Sequence, residues 1–118
     1  MYELVVKKSR FIACAAEIGS EDKAKAYIAE ISRQHKNARH IAFAYLLPNV
    51  ARYSDDGEPR GTAGLPLLNS IQRRNLENVA VVVVRYFGGI LLGKGGLIRA
   101  YGKAAGRALE ALTNEKPT

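Results

Sequence analysis

The chain is 118 residues long, 47% apolar and 25% charged, which suits one domain with a single core and excludes a disordered or low-complexity chain. Eighteen Lys and Arg against eleven Asp and Glu leave a net charge of +7, an excess that favours polyanionic partners, nucleic acid ahead of membrane. Its one cysteine excludes an internal disulfide, and no apolar run has the length of a signal peptide or a membrane span, so the expected location is the cytoplasm with no membrane partner.

Tyr2 to Lys7, short and β-branched, predicts a first strand. A polar joint, Lys7 to Arg10, leads into FIACAAEI, which alternates Phe11, Ala13 and Ala15 with Ile12, Cys14 and Ile18 and predicts a second strand. Cys14 falls on the more apolar face, where burial raises a thiol's pKa rather than activating it. Gly19 breaks the strand and Ser20 is a good N-cap. Glu21 and Asp22 then occupy the first helical turn and Arg33, His35 and Lys36 the last, as the helix dipole prefers. Ala24, Tyr27, Ile28, Ile31 and His35 make the buried stripe of that helix. The next segment alternates Ile41, Phe43, Tyr45 and Leu47 with His40, Ala42, Ala44 and Leu46, a third strand whose alanines admit a close neighbour.

Val50 to Ser54 predicts a short edge strand. SDDGEPRGTAGLP is a loop for most of its length, because prolines and glycines interrupt it throughout. Thr62 or Gly64 opens a second helix with Leu65, Leu68, Ile71 and Leu76 as its apolar side and Arg73 to Asn75 as its end. Val79 to Arg85 is apolar without a break until its arginine and predicts a central strand with both faces covered, or one covered and one lightly exposed. The last helix is expected from Lys94 or Gly95 to Leu112. Leu97, Ile98, Tyr101, Ala104, Ala105, Ala108, Leu109 and Leu112 turn inward, and Arg99, Lys103 and Arg107 line the opposite side at i, i+4, i+8. Gly102 and Gly106 flank that basic stripe and allow a backbone or a phosphate to come close. The order ββαββαβα predicts an α/β (α+β) two-layer sandwich, one mixed or antiparallel sheet with helices on one side. Residues 1–112 form the single domain and 113–118 a polar tail.

Three groups of residues can carry chemistry. Gly88 to Gly95 reads G-x-x-x-x-G-K-G between a strand and a helix, as a phosphate-binding loop does. The Ser or Thr that would hold Mg²⁺ after Lys94 is Gly95, which argues against a nucleotide hydrolase. A backbone anion site at Gly93, Lys94, Gly95 and Gly96 stays open beside the plain reading that these glycines only permit a sharp turn. Asp55, Asp56 and Glu58 gather three carboxylates in one loop, either for acid–base or Mg²⁺ chemistry or, more simply, as a turn whose aspartates bond the local backbone. Cys14 with His35 or His40 is a formal nucleophile–base pair that nothing in the spacing brings together. No catalytic residue, metal or cofactor is assigned.

SDDGEPRGTAGLPLL and VVVVRYFGGILLGKGGLIRAYGKA, with KKSRFIA and ARH before them, resemble the IMPACT family in its bacterial, YigZ-like branch. The resemblance spans nearly the whole chain. It implies a fold like domain 2 of ribosomal protein S5 and a link to translation. In eukaryotic relatives that link runs through competition for the ribosome-associated activator of a starvation-responsive initiation-factor kinase. It also implies that a ferredoxin-like second domain is usual in bacterial relatives and that small residues are usual where this chain has Arg60 and Lys94; it brings no agreed enzymatic activity or catalytic residues to carry over. The leading expectation is a non-enzymatic module that binds RNA or the ribosome through Arg85, Lys94, Arg99, Lys103 and Arg107 with the backbone of Gly93 to Gly96. Two alternatives stand beside it: a small enzyme or ligand-binding domain for a phosphorylated metabolite or nucleotide, built on the acidic loop and the Gly88–Gly96 turn, and a protein-interaction domain in a translation stress response.

Overall fold

A strand of consecutive valines has no polar side to offer water, so it must be sandwiched. In the computed structural model, which describes residues 1–114, that is the position of β5 (Val79–Tyr86). It lies at the centre of a five-stranded sheet of order β1-β2-β5-β3-β4, with β1 (Tyr2–Val6), β2 (Ser9–Glu17), β3 (His40–Leu47) and β4 (Val50–Ser54). Every pairing is antiparallel. β1–β2 and β3–β4 are hairpins, while β5 slots between β2 and β3. The edge strand expected at 50–54 is β4.

The period-two pattern divides the core. Phe11, Ala13, Ala42, Ala44, Val79, Val81 and Val83 face α2 (Gly64–Arg73) and α3 (Gly93–Asn114). Ile12, Phe43, Tyr45, Ala80, Val82 and Val84 face α1 (Glu21–Gln34), which meets them with Ala24, Tyr27, Ile28 and Ile31. Helices therefore lie on both faces of the sheet, which corrects the two-layer picture with helices on one side. The order ββαββαβα is as expected, but α1 forms a third layer. The bulky set of β3 is the face that α1 covers, and the alanine set admits α2.

Local chemistry sets the element ends. Ser20 caps α1, its Oγ accepting from Lys23 N–H at 3.2 Å. β1 stops at Val6 because Lys7 and Lys8 both take positive φ, +47° and +69°, as the two central residues of a tight hairpin in which Val6 pairs with Ser9. In α2 the buried leucines are Leu67 and Leu68 rather than Leu65, with Pro66 also buried. In α3 the inward face omits Ile98, which is 45% exposed. α3 begins at Gly93 and continues through Asn114, two residues into the stretch expected to be tail, and 115–118 lie outside the described residues.

Candidate functional site

The antiparallel register places Phe11, Arg85 and His40 side by side across β2, β5 and β3, on the face covered by α2 and α3. A guanidinium there is shut away from solvent, with Arg85 only 5% exposed. Burying a charge demands a partner and full hydrogen bonding. Glu58, 7% exposed, reaches in from the loop between β4 and α2, and Arg85 Nη1 donates to its Oε2 at 2.7 Å and Oε1 at 3.0 Å. The other edge of the guanidinium faces Ser9 Oγ, 3.2 Å from Nη2, and the same oxygen accepts from Gly88 N–H at 3.3 Å. From α3, Tyr101 donates its phenol proton to Glu58 Oε2 at 2.5 Å and sets its ring edge-on to Phe11, centroids 5.1 Å apart. Burial, reinforced by the bond to Glu58, holds the Tyr101 phenol far above its usual range, so it remains a donor. Every buried side-chain nitrogen and oxygen among the described residues has a hydrogen-bond partner.

The carboxylates of the acidic loop have separate tasks. Asp55 accepts from the backbone N–H groups of Gly61, Ala63 and Gly64 at 2.8–3.1 Å, so it caps the start of α2 from a distance. Asp56 accepts from Ile41 N–H at 2.7 Å and anchors the loop to β3. Only Glu58 enters the interior. The reading of the aspartates as backbone-bonding turn residues therefore describes the first two, and an acidic trio sharing one site does not form. Asp55→Ala leaves three donors without their acceptor, and urea unfolding should show a loss of about 2 kcal/mol, the upper end for a cap.

His40 sits between these groups. Its Nδ1 lies 2.7 Å from the carbonyl oxygen of Asp56, which can only accept, so Nδ1 carries hydrogen. Its Nε2 points to Glu58 Oε1 at 3.4 Å. Cys14 is on the opposite face of the sheet, beneath α1, and His35 is bonded through Nδ1 to the Tyr86 hydroxyl at 2.6 Å. Neither His–Cys pair assembles. Burial moves the Cys14 thiol upward, away from reactivity.

The acidic loop and the glycine turn meet in one cleft of about 360 Å³. Gly57, Glu58 and Pro59 line one side, Leu91, Leu92, Gly93, Lys94 and Leu97 another, and Arg39, His40, Arg85 and Phe87 complete it. Gly93 has φ +76°, so the turn into α3 requires glycine there. The sites expected together are thus divided. Gly93 and Lys94 line this cleft, whereas Gly96, Arg99 and Lys103 line a shallow groove between α3 and Leu4, Val6 and Lys7. Arg107 shares a third groove with Arg73, Arg74 and Lys103. Gly95 is exposed beside Arg99. Arg85 does not join the basic surface, because Glu58 and Ser9 engage it in the interior. Gly106 makes room for the Arg74 guanidinium, which stands 2.8 Å from where a Cβ would be, rather than for a backbone or phosphate.

Ser9 and Tyr101 belong to the buried cluster and carry no site assignment in the sequence reading, while His40, weighed there only as a partner for Cys14, stands at the cluster's edge. For Ser9 and His40 the signal is register, which sets both on the sheet face of Arg85, whereas Tyr101 reaches the cluster from the inward face of α3.

The model of the Impact N-terminal domain family matches residues 7–109. The chain belongs to this family. Among bacterial relatives, IMPACT family member YvyE of Bacillus subtilis is 46% identical over 111 residues, covering 92% of this chain and 51% of the relative. YigZ of Escherichia coli is 42% identical over 118 residues, covering 96% and 58%. A crystal structure of a hypothetical protein, 40% identical, superposes with a TM-score of 0.91 over 94% of this IMPACT domain and 56% of that chain. The two-domain translational regulator Yih1, 28% identical, superposes with a TM-score of 0.57 over 90% and 45%. The chain thus spans about half the length of the relatives it matches.

Proposed function

We propose that this IMPACT domain is a polyanion-binding module that acts in translation by contacting RNA or the ribosome with its α2–α3 layer. The observation that carries this reading is the uneven charge of the two helical layers. α2 and α3 carry Arg73, Lys94, Arg99, Lys103 and Arg107 against a single carboxylate, Glu110, and Arg74 follows α2 directly. On the other face α1 balances Lys23, Lys25 and Arg33 with Glu21, Asp22 and Glu30. Clustered cations on one face give a field that steers phosphate chains. Lys7, on the β1–β2 hairpin, extends the strip across the groove beside Arg99 and Lys103. The likeness to Yih1, described as a translational regulator, supports the setting.

The test is the salt dependence of RNA binding. Five phosphate contacts predict a slope of about −3.5 in log K against log salt for single-stranded RNA. Arg99→Glu with Lys103→Glu and Arg107→Glu should flatten the slope by about 2. Fluorescence anisotropy with a labelled oligonucleotide measures both. Binding that is absent at low salt, or unchanged in the triple variant, overturns the reading.

A further inference from the structure

The cleft between the acidic loop and the glycine turn lies apart from the Arg99–Lys103–Arg107 strip, sharing only Lys94 with the basic layer, and its lining is chemically mixed. Pro59, Phe87, Leu91, Leu92 and Leu97 supply apolar surface, and Leu91 is 81% exposed at its edge. Arg85 and Glu58 cancel each other through their ion pair, so the charge left to act on a ligand is that of Arg39 and Lys94. Neither has an ion-pair partner among the described residues. Two free cations disfavour a metal ion, and the apolar lining exceeds what inorganic phosphate alone would use.

Two further features narrow the ligand. The Arg39 guanidinium lies over the Phe87 ring, 4.6 Å from its centroid, a planar cation set against an aromatic ring that Arg85 also approaches at 5.4 Å. Guanidinium planes and aromatic rings are stacking partners for nucleobases. Lys94, in the first turn of α3, adds a point charge suited to a phosphate beside the turn's backbone N–H groups.

We infer that this cleft binds one nucleotide, its base stacked at Arg39 and Phe87 and its phosphate at Lys94. A volume of about 360 Å³ falls within the small-ligand range. The ligand is either a free nucleotide or a nucleotide at the end of an RNA chain, which share this chemistry. The inference does not depend on the polyanion reading.

Calorimetric titration with the four ribonucleoside 5′-monophosphates, their nucleosides and inorganic phosphate tests it. At least one monophosphate should bind tenfold or more tightly than both its nucleoside and phosphate. Lys94→Ala and Arg39→Ala, both at exposed positions, should each weaken it at least fivefold, whereas the Arg99/Lys103/Arg107 triple variant should leave it unchanged. Amide shifts on titration should centre on Gly57 and Gly93 to Leu97. No saturable monophosphate binding, equal binding of phosphate alone, or indifference to both substitutions overturns the inference. Short oligonucleotides with a 5′-phosphate or a 5′-hydroxyl identify the source: tighter binding than the monophosphate, dependent on the terminal phosphate, assigns an RNA end, and failure to compete assigns the free nucleotide. Loss of RNA binding in the triple variant with nucleotide binding intact would separate the two sites.

Discussion

Arg85→Ala should destabilise the domain by about 3–5 kcal/mol, the cost of leaving a buried charge without its partner. The orphan is Glu58, held within the interior by the fixed loop before α2 and left with only Tyr101 and His40 near its oxygens. Domains of this size have about 5–15 kcal/mol in all, so the variant should approach its unfolding threshold. Tyr101→Phe removes one hydrogen bond to a charged acceptor and should cost less, about 1.5–3 kcal/mol. Arg85→Met combined with Glu58→Leu removes both charges together and should recover most of the loss. Urea denaturation of the four proteins measures all of this. An Arg85→Ala loss below about 1 kcal/mol would mean that the carboxylate escapes to solvent, contrary to the burial seen here.

Gly88→Ala is the second severe substitution. A Cβ at this position would stand 2.1 Å from the carbonyl carbon and oxygen of Lys8. Those are backbone atoms of a two-residue turn with both lysines at positive φ, so the turn has little freedom to retreat. Movement of either strand end would also open the Gly88 N–H to Ser9 Oγ bond and loosen the guanidinium's second edge. The expected cost is about 3 kcal/mol, the upper end of overpacking, and a melting temperature lower by roughly 10 °C. Gly102→Ala is its counterpart. Nothing lies within 4 Å of a Cβ there, so the α3 interior should gain about 1 kcal/mol of helix propensity. Thermal melts of the two variants should move in opposite directions.

Strand alternation made the two core faces legible before any coordinates: Ala42 and Ala44 on one side of β3, Phe43 and Tyr45 on the other, are where the periodicity put them. Ser20 as a cap and Val79–Arg85 as the central strand were equally plain, because each depends on neighbours in sequence. The placement of α1 was not legible. A helix stripe says that a helix is covered but not which side of the sheet covers it. The same limit hid the buried cluster. Arg85, Glu58, Ser9 and Tyr101 come from four elements, and composition alone favours exposure for arginine and glutamate. Reading Arg85 as a surface cation followed that tendency and failed because the register set it between Phe11 and His40.

The order of strands has a consequence for how the chain acquires its fold. β5 is the last strand to be made and the one that joins the two hairpins. Until residue 86 has left the ribosome, the inner edges of β2 and β3 have no β5 to pair with. Closing the sheet then requires pairings between residues as far apart as Arg10 and Tyr86, the long-range contacts that slow folding and prolong the life of unpaired edges. Nascent chains of this domain therefore pass through a stage, ended only by the valine strand, in which they are most exposed to aggregation and to chaperone capture.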